Sequence, residues 1–150
     1  MIEVVAPCAG QVGKLADVAD PVFAAEMVGS GISIDPPREP ITAVAPVAGT
    51  VVKAHPHAMA IQAADGSGVL VHLGLDTVQL HGEGFEVLIQ EKAQVRSGEP
   101  LVRWNPAEVE AGGRDPMVLL CVLDTAPGAV HCERIGEQVS SGEAVFTWGD

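Results

Sequence analysis

Two histidines, His57 and His72, stand fifteen positions apart, each beside or inside an apolar, strand-like run. The first run reads His57-Ala58-Met59-Ala60-Ile61. The second reads Val69-Leu70-Val71-His72-Leu73-Gly74-Leu75 and leads through Asp76-Thr77-Val78 to Gly82-Glu83-Gly84-Phe85. An imidazole with an unperturbed pKa of about 6.5 is mostly neutral near pH 7, so it can bind a metal, move a proton or attack phosphorus. The pair leaves three chemistries open: a metal site, an acid–base pair, or a covalent phosphate carrier.

Side chains alternate along a strand, which assigns each histidine to a face. Val69, Val71, Leu73 and Leu75 would share the core face, with Leu70, His72 and Gly74 opposite. By the same count His57, Met59 and Ile61 share a face opposite Ala58 and Ala60. If the two strands are neighbours, two imidazoles lie together in a shallow apolar surface. One could act as nucleophile while the other, with backbone N–H groups near the glycines, donates to phosphoryl oxygens. His81 and His131 stand in polar, loop-like contexts and read as structural residues.

The rival reading is a zinc-dependent hydrolase built on His55-Pro56-His57, with Asp76 or Glu83 adding oxygen. No HExxH or cysteine spacing supports it. A lipoyl- or biotinyl-type carrier is disfavoured, because Lys14, Lys53 and Lys92 are not at a Met-Lys-Met-like hairpin tip.

Composition sets the frame that must hold these residues. The 150 residues make one domain, 1–150, long enough for a proper core. With 47% apolar residues but only 3% aromatic, the core is aliphatic, and 17 Gly with 11 Pro favour many short strands. A net charge of −12 disfavours nucleic acid and anionic lipid and suits a partner with a basic docking face. Cys8, Cys121 and Cys132 show no CxxC spacing and read as reduced thiols. No secretory signal is evident, and the longest apolar run, Met117 to Leu123, is far short of the ~20 residues that span a bilayer. The expectation is a cytoplasmic protein.

Duplication organises the chain. Val4-Val5-Ala6-Pro7-Cys8-Ala9-Gly10-Gln11-Val12 is echoed by Ala43-Val44-Ala45-Pro46-Val47-Ala48-Gly49-Thr50-Val51. Later, 93–102 is echoed by 137–146, each a strand–turn–strand signal with Gly in the turn. These repeats predict an all-β fold: an antiparallel β-sandwich or flattened barrel with pseudo-symmetry and only short helices. One helix is expected after Asn105-Pro106, with a capping residue, Pro at the first position and Gly at the stop; another turn or two follow Asp20-Pro21.

With these residues in view, the chain resembles the glucose-type enzyme IIA (EIIA) of the bacterial phosphoenolpyruvate-dependent sugar phosphotransferase system. The resemblance rests on Asp20-Pro21-Val22-Phe23, Met27-Val28-Gly29-Ser30-Gly31-Ile32, Val44-Ala45-Pro46, His57-Ala58, Val71-His72-Leu73-Gly74-Leu75-Asp76-Thr77-Val78 and Gly82-Glu83-Gly84-Phe85. It implies that His72 accepts a phosphoryl group on Nε2 from the carrier protein HPr and passes it to a cysteine of the cognate enzyme IIB. The likeness implies that His57 assists transfer and that Asp76 is a carboxylate near the site. Val22, Phe23, Val28, Met59, Leu70 and Val78 would form an apolar docking rim. Glucose or N-acetylglucosamine-type sugars are implied, as is regulatory binding to other proteins. No cofactor is required, although His57 and His72 could hold zinc. The chain departs from the family at His55, where relatives often have Thr, and it starts almost directly on the first strand, without the amphipathic tail of some members. Met1 fits a free-standing protein and equally a domain of a larger permease.

Overall fold

The structure is a computed structural model and describes residues 1–149. The two copies of the Ala-Pro-x-x-Gly segment form matching halves. In the first, β1 (Ile2–Val5) runs into β2 (Gly10–Lys14) and then β3 (Gly29–Asp35). In the second, β4 (Ile41–Val44) runs into β5 (Gly49–His55) and β6 (Ala58–Gln62). The halves are laced together reciprocally: Val5 N donates to Pro46 O and Val44 N to Pro7 O, each at 2.9 Å.

The remaining strands are β7 (Gly68–Leu73), β8 (Glu86–Val87), β9 (Gln94–Val95), β10 (Pro100–Trp104), β11 (Val118–Leu123), β12 (Gln138–Val139) and β13 (Ala144–Trp148). An eight-stranded sheet has the order β12-β2-β3-β11-β7-β6-β5-β9, all pairs antiparallel. Its two halves correspond across the β11–β7 pair, so the predicted duplication becomes a pseudo-two-fold. The late repeats supply β9–β10 and β12–β13; β10 pairs with β4 and β13 with β1 in smaller sheets.

The core lies between the large sheet and the smaller ones. Val69, Val71 and Leu73 from β7 meet Val4, Ala43, Leu101, Val102 and Phe146 there, all almost fully buried. Burial alternates along β7, as the sequence implied. β11 is buried on both faces, which explains its uninterrupted apolar run. Its outward Leu119 and Cys121 are covered by a second cluster containing Leu15, Val18, Phe23 and Leu75.

Two expectations fail here for one reason: side chains stop alternating where the strand gives way to a turn. Leu75 does not continue the core face of β7. Gly74 turns the chain at φ +79°, and Leu75 joins the second cluster instead. Likewise β6 starts only at Ala58, and Met59 and Ile61 point into the main core, 2% and 0% exposed. Met59 is therefore not part of a docking rim.

Both expected short helices form, and both are capped. In α1 (Pro21–Ala24) the Asp20 carboxylate accepts from Val22 N, and in α2 (Pro106–Ala111) the Asn105 side chain accepts from Ala107 N. Among the described residues no helix is long and apolar enough to cross a membrane.

Candidate functional site

His72 faces outward on β7, between Ala58 of β6 and Leu119 of β11 in the cross-strand register. Phe23 closes a third side, its ring centroid 5.0 Å from that of His72. The imidazole is thus lodged in an apolar depression and only half-buried by its own exposure. The Asp20 cap, by starting α1 where it does, brings Phe23 to this place.

One hydrogen bond sets the tautomer. His72 Nδ1 lies 2.7 Å from Gly74 O. A carbonyl only accepts, so Nδ1 carries the proton and Nε2 keeps its lone pair. Gly74 can return its carbonyl this way because of its positive φ; a Cβ there would also come 2.7 Å from Thr77 Cγ2. The buried Thr77 hydroxyl holds the turn, donating to Leu73 O at 2.7 Å. Burial pushes the His72 pKa down to about 4. The Gly74 bond and the nearby Asp20 and Asp76 carboxylates oppose that shift, and His57 reinforces it. Desolvation wins, and the ring is neutral at pH 7.

His57 reaches the site by a different route from the one counted in sequence. His55 pairs with Ala58, leaving Pro56-His57 as a two-residue hairpin turn. Neither turn residue has positive φ, and Pro56 fits the fixed negative φ of a first turn position. Leu73 N donates to His57 O at 2.7 Å, continuing the β6–β7 ladder into the turn. The His57 ring then meets His72 edge-on, centroids 5.2 Å apart. Its pKa is lowered, first by burial and then by His55. Gly82 packs this hairpin from outside: its ideal Cβ would lie 3.2 Å from Pro56 Cγ.

The docking residues divide. Val22 and Val78 are exposed, at 46% and 58%, while Phe23 is buried and touches His72. Leu70 and Val28 are half-buried against the second cluster. Met27, 75% exposed and tied to Val22 by a backbone hydrogen bond, is an apolar neighbour not singled out from sequence. Asp20 entered the sequence reading only as the start of a short helix; the structure shows that it caps α1 and that its charge also reaches His72. Asp76 is exposed, in the left-handed region at φ 59°, and likewise close enough to act on His72. A polar groove of about 510 Å³ beside the depression is lined by Asp20, Asp76, Gln79 and Arg114.

Other chemistries fare poorly. No group of three or more His, Cys, Asp or Glu side chains among the described residues could hold a metal ion, so neither His55 with His57 nor His57 with His72 has the third protein ligand typical of catalytic zinc. Burial pushes the Cys8 and Cys121 thiols up to about 12, which removes them as nucleophiles. His81 and His131 are exposed, and His131 lies 3.9 Å from Glu133.

Comparison with known proteins identifies the family. Residues 2–127 match the family described as phosphoenolpyruvate-dependent sugar phosphotransferase system, EIIA 1. The PTS system glucose-specific EIIA component of Staphylococcus aureus (strain COL) is 40% identical over 130 residues, covering 85% of this chain and 77% of that protein. The PTS system glucose-specific EIIBCA component of Corynebacterium glutamicum is 41% identical over 147 residues, 98% of this chain but 21% of that protein. The solved structure of glucose permease IIA from Mycoplasma capricolum superposes with a TM-score of 0.81 at 36% identity, covering 96% of this chain and 93% of the other. The chain belongs to the EIIA 1 family of the phosphoenolpyruvate-dependent sugar phosphotransferase system, as a phosphotransferase component.

Proposed function

We propose that this protein carries a phosphoryl group on Nε2 of His72, taking it from the histidyl phosphate of HPr and giving it to a cysteine of an enzyme IIB. The observation that carries the reading is the Nδ1–H bond to Gly74 O, which presents an unprotonated Nε2 in an apolar depression. The Nε2 lone pair forms the new N–P bond as the donor's N–P bond breaks and its electron pair returns to the donor imidazole. The phosphorylated ring retains the Nδ1 proton, and Gly74 O stabilises the positive charge that develops on the ring. When a thiolate of enzyme IIB attacks phosphorus, the N–P electrons return to Nε2 and the original tautomer is restored.

His57 supports transfer from the side, within reach to donate to a phosphoryl oxygen on its neighbour. The apolar rim of Val22, Phe23, Val28, Leu70 and Val78 excludes water and docks partners. Asp20 and Asp76 add negative charge beside it, suiting basic residues around an apolar contact. The sugar is a glucose-type hexose, in line with the names of the relatives, or the related N-acetylglucosamine type that the sequence resemblance implies. A net charge of −12 and the transfer partners suit work in the cytoplasm, with no cofactor or metal in the step. A phosphoryl group adds roughly −1.5 to −2 charge to the apolar face, so proteins that prefer the bare surface are released on phosphorylation.

The test is phosphotransfer from phosphoenolpyruvate through purified enzyme I and HPr. Wild type takes one acid-labile label on His72 and His72→Ala takes none; label retained in His72→Ala overturns the assignment.

A further inference from the structure

His55 belongs to the same row as His72. The register pairs His55 of β5 with Ala58 of β6, and Ala58 with His72 of β7. Residues directly opposed across antiparallel strands share a face, so His55, Ala58 and His72 line up over about 10 Å, two strand spacings. Ala58 has only a methyl group, which leaves a gap between the two imidazoles. The His57 ring bridges that gap from the hairpin turn. Its centroid is 5.2 Å from that of His72 on one side and 6.0 Å from that of His55 on the other, nearly parallel to His55 at 25°.

We propose that His55 is a positioning residue: its ring stacks on His57 and holds that imidazole edge-on to His72 for phosphoryl transfer. A turn side chain on the surface has several rotamers to lose, and ordering it at each turnover slows the step it serves. Among the described residues no side-chain hydrogen bond fixes His57; its ring contacts are with His55 and His72. A flat partner at 55 therefore does for His57 what Gly74 O does for His72. His55 itself is exposed, so replacing it does not open the core.

This inference rests on His72 being the phosphoryl acceptor, and two separate readouts keep the two ideas apart. The variants are His55→Ala, His55→Phe, His57→Gln and the double variant His55→Ala/His57→Gln. In transfer from phospho-HPr, His55→Ala is expected to lower kcat about fivefold with KM within about twofold, and His55→Phe to restore most of the loss. In the His57→Gln background, His55→Ala should add nothing further, because its effect runs through His57. Independently of phosphate, the ring resonances of His57 in the NMR spectrum should shift in His55→Ala and return towards wild type in His55→Phe. Unchanged His57 resonances, an unchanged kcat, or a loss of equal size in the His57→Gln background would each overturn the proposal. A wild type that takes no label refutes the acceptor reading, while the resonances still decide whether His55 orders His57.

Discussion

His72 Nδ1 and the Gly74 carbonyl oxygen, two residues apart in sequence, stand 2.7 Å from each other across the turn that ends β7. That contact selects Nε2 as the reacting atom. Its consequence is regiochemical: phosphorylated protein should show a single Nε2-phosphohistidine by 15N NMR, and an Nδ1 adduct would contradict the assignment.

Thr77 supports the same turn from inside. Its buried hydroxyl donates to Leu73 O, and Val would leave that carbonyl short of a partner. Thr77→Val should cost about 1–3 kcal/mol of stability and slow transfer, whereas Thr77→Ser should retain most of both. Urea melts alongside transfer rates check this pair.

Acid should destabilise the protein through His72. Its folded pKa lies near 4, below the ordinary 6.5, because burial disfavours the charged ring. Between those values the unfolded chain binds the proton and the folded chain does not. The contribution of the neutral ring is thus complete above about pH 6.5 and is lost as pH falls towards 4, with a slope of at most about 1.4 kcal/mol per pH unit for one proton. The lowered pKa of His57 acts in the same direction. Melts between pH 4.5 and 7.5 should show a shallower acid limb for His72→Gln; parallel curves would refute the burial argument.

Val22 and Val78 test the rim without disturbing the core, since both are exposed. Val22→Asp and Val78→Asp should leave the melting temperature within a few degrees and raise KM for phospho-HPr by about tenfold or more, by placing unpaired charge in an apolar contact. An unchanged KM would remove that residue from the docking surface.

Gly82 links two distant parts of the sequence. With φ +84° and Pro56 Cγ 3.2 Å from its ideal Cβ, Gly82→Val should cost on the order of 1–3 kcal/mol and displace the Pro56-His57 hairpin. Kinetically it should resemble a mild His57 variant. Wild-type transfer at reduced stability would show that the hairpin holds its place without this contact.

The sequence by itself determined a good deal. Alternation along β7 put His72 outward and Val69, Val71 and Leu73 inward, and the two Ala-Pro-x-x-Gly copies declared a duplicated β fold. Capping chemistry placed the helix after Asn105, and Asp20-Pro21 marked the start of the other. These are local signals, set by backbone geometry within a few residues. Tertiary structure decided the rest. Whether β6 and β7 are neighbours is a long-range pairing that period cannot report, and only that pairing brings His57 to His72. The same limit misplaced Met59: counting by twos ran back through the Pro56-His57 turn, where side chains no longer alternate. Asp20 was legible only as the start of a short helix, while its charge on His72 acts across space. The histidine identities announced the chemistry; the turns at Gly74 and Pro56 decided which nitrogen reacts and which ring stands beside it.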